Sequence, residues 1–151
     1  MKVSSGVNVL IVDDDVATRE MLSTFLSSQH VHAVAAEDGL EALHLLRSVR
    51  RRTPETPCLV LLDLSMPRFG GKEFRRAQLS DPHLSGVPVV IMSGAVDLEQ
   101  RARAMDAAAV LRKPINLETL MAVVERHCAP AAIDLRSPAN RLPNRGRQDG
   151  A

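Results

Sequence analysis

Asp63 ends an apolar run, Cys58-Leu59-Val60-Leu61-Leu62, with Pro57 before it and Pro67 just after. Five consecutive apolar residues read as a strand buried on both faces. A carboxylate closing such a strand is costly, since desolvating an ion takes several kcal/mol unless a partner compensates it. The pattern recurs along the chain. Val7-Asn8-Val9-Leu10-Ile11-Val12 leads into Asp13-Asp14-Asp15, Val87 to Met92 leads into Ser93-Gly94, and Ala107 to Leu111 leads into Lys113-Pro114. On parallel strands these ends share one edge, the edge where open α/β sheets bind ligands. Alone, Asp63 would equally suit the first position of a β-turn.

Gathered on one edge, these residue types define a chemistry. Two like charges ~4 Å apart cost roughly 4 kcal/mol at an effective dielectric of ~20, so Asp13, Asp14 and Asp63 need a counter-charge. Carboxylates with only oxygen ligands beside them suit Mg²⁺, which keeps several waters and shares phosphate oxygens. The Lys113 ammonium and the Ser93 hydroxyl supply two donors for a phosphoryl group. The combination fits phosphoryl transfer to a carboxylate, in which the protein mainly positions the groups.

The elements that must position these residues follow from periodicity. Val16 to Ser28 carries Met21, Leu22, Phe25 and Leu26 as the inward stripe of a helix on a sheet. Val31 to Ala36 is a short strand, and a helix runs from Asp38-Gly39 to about Arg50, with Ala42, Leu43 and Leu46 inward and Pro54 beyond its end. After the Asp63 strand come a loop, Ser65 to Gly70, and a helix from about Gly71 to Leu79. Asp97 with Gln100 three residues on is a capping-box start for a helix carrying Leu98, Ala102 and Met105. Ala107 to Leu111 is a weak last strand, and Asn116 caps a final helix with Leu117, Leu120, Met121 and Val124 on one face. The order βαβαβαβαβα predicts an α/β fold, a doubly wound five-stranded parallel sheet of order 2-1-3-4-5 with helices on both faces, flavodoxin-like. In that order strands one, three, four and five adjoin, so Asp13, Asp14, Asp63, Ser93 and Lys113 converge.

With these motifs in place, the sequence resembles a known family. Asp13-Asp14, Leu62-Asp63-Leu64-Ser65-Met66-Pro67 with Gly70-Gly71, Met92-Ser93-Gly94-Ala95 and Lys113-Pro114 are similar to the receiver domain of bacterial two-component response regulators. The resemblance covers about residues 6–128. It implies that Asp63 is the phosphoacceptor, charged by a phosphohistidine of a sensor histidine kinase or histidine phosphotransfer protein. It further implies that Asp14 binds Mg²⁺ directly, Asp13 through a water, and Ser65 through its backbone carbonyl. Ser93 would then hold a phosphoryl oxygen, Lys113 would pair with the phosphate, and the bond before Pro114 would be cis. The sequence departs from the family at Val110, where an aromatic often couples to the strand-four hydroxyl. Ser65 and Ala95, two residues after Asp63 and Ser93, are small at positions that tune phosphate loss in the family.

Composition bounds the rest. The chain has 151 residues, no Trp or Tyr, and three Phe, so its core must be aliphatic. No apolar run nears the ~20 residues of a membrane span. The N-terminus lacks an apolar leader stretch, and Cys58 and Cys128 lie far apart, one inside a buried strand. They are expected to be reduced thiols in a cytoplasmic protein. Residues 1–129 carry 15 Lys and Arg against 16 Asp and Glu, which gives no overall basic bias toward nucleic acid. Residues 129–151 lose all apolar periodicity and are expected to be a disordered basic tail or a linker. Asp15 reads as a helix cap, Arg50-Arg51-Arg52 as a solvated helix end, and the five histidines show no ligand spacing.

Two other readings remain open on sequence alone. Asp13 and Asp15, two apart and followed by Val16-Ala17-Thr18, echo the nucleophile motif of haloacid-dehalogenase-type phosphohydrolases, with Asp13 as nucleophile. Against this, no strand ending in paired acids follows Lys113, and there is no room for a cap domain. Alternatively, the chain is the receiver half of a longer regulator. A signalling module that catalyses only its own phosphorylation and dephosphorylation, and that contacts a downstream protein, is the leading expectation.

Overall fold

The alternation of apolar side chains along the strands dictates a sheet with two buried faces, and the computed structural model, which describes residues 8–52 and 57–133, has one. Its elements are β1 (Asn8–Val12), α1 (Val16–Ser28), β2 (His32–Ala36), α2 (Gly39–Arg52), β3 (Leu59–Asp63), α3 (Gly71–Leu79), β4 (Val89–Ser93), α4 (Leu98–Ala104), β5 (Ala109–Arg112) and α5 (Leu117–Ile133). The strands pair in parallel in the order β2-β1-β3-β4-β5. This is the doubly wound flavodoxin-like topology expected, with its switch point between β1 and β3.

Successive residues of one strand feed different cores. Val9, Ile11, Leu59, Leu61, Val90 and Met92 pack with Leu22 and Leu26 of α1 and with Leu120, Val123 and Val124 of α5. Leu10, Val12, Val60, Leu62, Val89 and Ile91 pack with α2, with Phe74 of α3, and with Leu98 and Ala102 of α4. Phe74 is fully buried and is the largest side chain of an otherwise aliphatic interior.

Several expectations need correction. Cys58 and Cys128 form a disulfide, with Cα atoms 5.5 Å apart across a sequence separation of 70. Sequence distance hid their proximity. α5 runs antiparallel to the strands, so its C-terminal part returns to the edge where β3 begins. Asp97 does not cap α4 with its side chain; its carboxylate pairs with Arg101 at 3.1 Å instead. Met21 and Leu117, placed inward by periodicity, are exposed at 42% and 36%, because only the centre of each helix stripe meets the sheet. β5 lies two residues later at its start than expected, and α2 continues to Arg52. α5 extends past the boundary expected at 128; the rest of the tail, and the side chains of Arg50-Arg51-Arg52, lie outside the described residues.

Candidate functional site

β1 and β3 are neighbours in register, so the residues that end them are adjacent. Asp13, just past β1, is fully buried, Asp63 at the end of β3 is 3% exposed, and Asp14 beside them is exposed. Lys113 follows β5 and reaches across the edge, its Nζ 2.9 Å from Asp13 Oδ2 and 3.1 Å from Asp63 Oδ1. The distant acids and the amine thus meet in one pocket.

Asp13 is held on every side. Its Oδ1 accepts the Asp15 N–H at 2.9 Å, and its main-chain carbonyl accepts from Arg19 Nη1 at 2.7 Å. Its own N–H donates to the Ala36 carbonyl at 3.1 Å. Asp15 caps α1 as expected, its carboxylate accepting the Thr18 N–H at 3.2 Å and also the Thr18 hydroxyl, and the hydroxyl's hydrogen bond is the main cause that keeps it below its ordinary pKa. Asn116 likewise caps α5 by accepting the Thr119 N–H at 2.9 Å.

The electrostatics are unbalanced. Burial raises the Asp63 pKa above its ordinary value of 3.8, and the Asp13 charge adds to that; Lys113 and a backbone hydrogen bond from Ser65 offset only part. Lys113 feels burial most strongly, which favours its neutral form. Hydrogen bonds and charge from Asp13 and Asp63 together outweigh it and hold the ammonium above its ordinary 10.5. One cation does not neutralise two buried carboxylates and a third beside them. Ligand oxygens of Asp13, Asp14 and Asp63 lie within 4.8 Å of one another, an oxygen-only donor set that fits a hard divalent cation.

Ser93 ends β4, 1% exposed, one residue beyond Met92, the cross-strand partner of Asp63. Its Oγ accepts the Ala95 N–H at 3.0 Å, which leaves the hydroxyl proton free to be donated. Ser65 is exposed in the loop after β3. Gly71 begins α3 so close to that strand end that a Cβ there would lie 3.0 Å from the Asp63 carbonyl oxygen. The Lys113–Pro114 bond is cis. Val110 is half-buried and packs against the α2–α4 core, so no aromatic ring stands behind Ser93.

Three arginines escaped sequence reading. Arg19 binds the Asp13 carbonyl, and Arg112 binds the Ala95 carbonyl and Glu99. Arg75, 6% exposed, donates to the carbonyls of Met105 and Asp106 and to Gln78 Oε1. All three act through main-chain partners, which no residue spacing announces.

A doubly wound sheet with clustered acids, a buried hydroxyl and a lysine at its carboxyl edge defines a phosphoryl-signalling class of α/β domain. The model of the response regulator receiver domain matches residues 9–125, and the chain belongs to that family. Response regulator MprA of Mycolicibacterium vanbaalenii is 37% identical over 118 residues, which are 77% of this chain and 48% of MprA. MprA of Mycobacterium tuberculosis is 36% identical over 119 residues, 78% of this chain and 48% of that protein. The chain thus spans about half the length of these relatives. Among solved structures, Vibrio cholerae chemotaxis protein CheY4 superposes with a TM-score of 0.70 at 28% identity, over 80% of this chain and 98% of CheY4. The receiver domain of Saccharomyces cerevisiae Ssk1, solved with the histidine phosphotransfer protein Ypd1, gives a TM-score of 0.70 at 22% identity. That match covers 85% of this chain and 94% of the other, and shows the fold alone. The chain is a signalling module, and no helix among the described residues is long and apolar enough to cross a membrane.

Proposed function

We propose that Asp63 is the phosphoacceptor of this receiver, taking a phosphoryl group from a phosphohistidine on a sensor histidine kinase or histidine phosphotransfer protein. An Asp63 carboxylate oxygen forms a bond to phosphorus as the bond to the imidazole nitrogen breaks, and that nitrogen is left with the electron pair. Lys113 pairs with the transferred group, and the Ser93 hydroxyl donates to one of its oxygens. Asp13, Asp14, Asp63 and the Ser65 carbonyl would hold Mg²⁺, which when bound supplies charge neutralisation for the phosphoryl oxygens. The protein catalyses only its own phosphorylation and dephosphorylation.

The observation that carries this reading is the Lys113 ammonium bridging Asp13 and Asp63 at 2.9 and 3.1 Å. A lysine so placed exchanges one anionic partner for another with little movement, releasing a carboxylate as it takes up phosphate. The phosphotransfer partner solved with Ssk1 supports the same donor class for this chain. The receiver unit is taken to run from residue 6 through the end of α5 at Ile133, five residues beyond the boundary expected at 128, with the residues after it as a tail or as a linker into a longer regulator. Output goes to a downstream protein, in keeping with the near-balanced charge of residues 1–129. We place the exchange in the cytoplasm, where ATP-charged kinases present phosphohistidines. There the Cys58–Cys128 bond faces the cellular thiol pool.

The test is incubation with acetyl phosphate and Mg²⁺, followed by intact-mass measurement. Wild type gains one phosphoryl group and Asp63→Asn gains none. A gain that persists in Asp63→Asn identifies a different acceptor.

A further inference from the structure

The loop between β4 and α4 has little apolar anchorage. Val96 is 95% exposed, and a Cβ on Gly94 would meet nothing closer than 3.9 Å. Its fixity therefore depends on polar contacts, and these converge on Ala95. The Ala95 N–H is held by Ser93 Oγ at 3.0 Å. The Ala95 carbonyl accepts from Leu98 N–H at 3.3 Å and from Arg112 Nη1 at 2.6 Å.

Arg112 is well placed for this. It is the last residue of β5 and the cross-strand partner of Ser93. Strand alternation puts its side chain on the surface, yet the guanidinium folds back over the loop rather than extending into water. Its second nitrogen, Nη2, is fixed 2.8 Å from Glu99 Oε1 in the first turn of α4. Hydrogen bonds from its own backbone N–H and from Arg112 hold the Glu99 carboxyl below its ordinary pKa. A continuous path thus runs from the Ser93 hydroxyl through the Ala95 peptide and Arg112 to α4. Val110, two residues earlier on β5, has no polar atom with which to make such a link.

We propose that Arg112 is a positioning residue for phosphoryl uptake, holding the Ser93–Ala95 turn so that the Ser93 hydroxyl stays aimed at the incoming phosphoryl group. With its oxygen engaged by the Ala95 N–H, that hydroxyl has its proton left to give. The inference rests on the reading of Asp63 as phosphoacceptor and of Ser93 as a phosphoryl ligand.

The experiment follows phosphoryl uptake from saturating acetyl phosphate and Mg²⁺ by intact mass in wild type, Arg112→Ala and Arg112→Lys. Mg²⁺ affinity and Ala95 amide exchange are measured without phosphodonor. Arg112→Ala slows uptake on the order of fivefold, the weight of one charge-assisted hydrogen bond at a partly exposed site. Ala95 amide exchange quickens by a comparable factor, and Mg²⁺ affinity stays at the wild-type value. Arg112→Lys, whose ammonium reaches the same carbonyl, recovers most of the rate. Wild-type uptake in Arg112→Ala, unchanged Ala95 exchange, a parallel loss of Mg²⁺ affinity, or Arg112→Lys as slow as Arg112→Ala each overturns the proposal. Absence of any mass gain in wild type instead overturns the phosphoacceptor reading beneath it. Normal wild-type gain with an unaffected Arg112→Ala removes only the arginine.

Discussion

Reducing the Cys58–Cys128 bond should cost this domain much of its stability while leaving its phosphoryl chemistry intact. The bond ties the approach to β3 to α5 and closes a loop with a sequence separation of 70. In the chain-entropy model, a cross-link closing a loop of that length removes enough unfolded-state freedom to stabilise the fold by about 4 kcal/mol. Domains of this size hold only about 5–15 kcal/mol in total. For a domain of intermediate length the loss corresponds to a fall in Tm of roughly 12–20 °C. The functional edge lies elsewhere: Asp63 is five residues along β3 from Cys58, or ~17 Å at strand rise. The assay is urea unfolding of the oxidised protein, the protein in dithiothreitol, and Cys58→Ala/Cys128→Ala, with acetyl phosphate uptake measured on each. The reduced protein and the double variant should unfold at the same lowered midpoint, with a steeper urea dependence because their unfolded chains are more extended. Uptake rates should agree across all three. Equal midpoints for oxidised and reduced protein would refute the reasoning, as would native alkylation labelling both thiols without reductant.

Further outcomes follow from the acidic pocket and from chain packing. Asp63→Asn should raise stability at pH 7, read as a higher urea midpoint, because it removes a buried charge beside Asp13. The pKa of Asp63 is raised in the fold, so its penalty is fully present above that raised value and fades as pH falls through it toward 3.8. The gain in Asp63→Asn should shrink accordingly between pH 7 and pH 4. The same shift predicts that acetyl phosphate uptake at low Mg²⁺ loses half its rate at a pH above 3.8. Lys113→Ala should destabilise the domain by about 2 kcal/mol, a buried-pair loss discounted because the lysine is 29% exposed, and added Mg²⁺ should recover part of it. The folded pKa of Lys113 lies above 10.5, so its contribution holds below that pH and is lost as pH rises through the folded value. Gly39→Ala should cost about 1–3 kcal/mol by thermal unfolding, because a Cβ there would lie 2.7 Å from both the carbonyl oxygen and a ring carbon of Phe69.

The sheet and its site were legible in sequence for the same reason. Buried parallel strands leave long apolar runs, and a polar residue directly after such a run marks the edge. Asp13, Asp63 and Ser93 each stand at such a boundary and Lys113 one residue beyond it, so the β-α alternation that set the strand order also set their convergence. Contacts between elements distant in sequence, without a polar-after-apolar boundary, were not legible. Cys58 and Cys128 read as separate thiols because α5's return to the start of β3 is a tertiary fact. Asp97 matched a capping box, yet Arg101 one turn on offers a full charge where the helix offers only an N–H. Arg75 sits next to Arg76 on a polar-looking helix, and nothing local shows that it turns inward toward the carbonyls at the end of α4.

These arginines bear on how a receiver without a ring at position 110 transmits its state. α4 is held at its start by Arg112 through Ala95 and Glu99, and at its end by Arg75 through Met105 and Asp106. The two anchors differ in kind. Arg75 is buried and each of its three nitrogens donates one hydrogen bond, so releasing it would strand a desolvated cation, and that end of the helix is fixed. Arg112 is exposed, and its contacts can be traded for water at small cost. A shift at Ser93 would therefore be taken up at the first turn of α4, with the helix pivoting about its C-terminal end. Amide exchange with and without phosphoryl loading should change at residues 94–99 and stay constant at Met105 and Asp106; the reverse pattern would mean that the buried arginine is the anchor that yields.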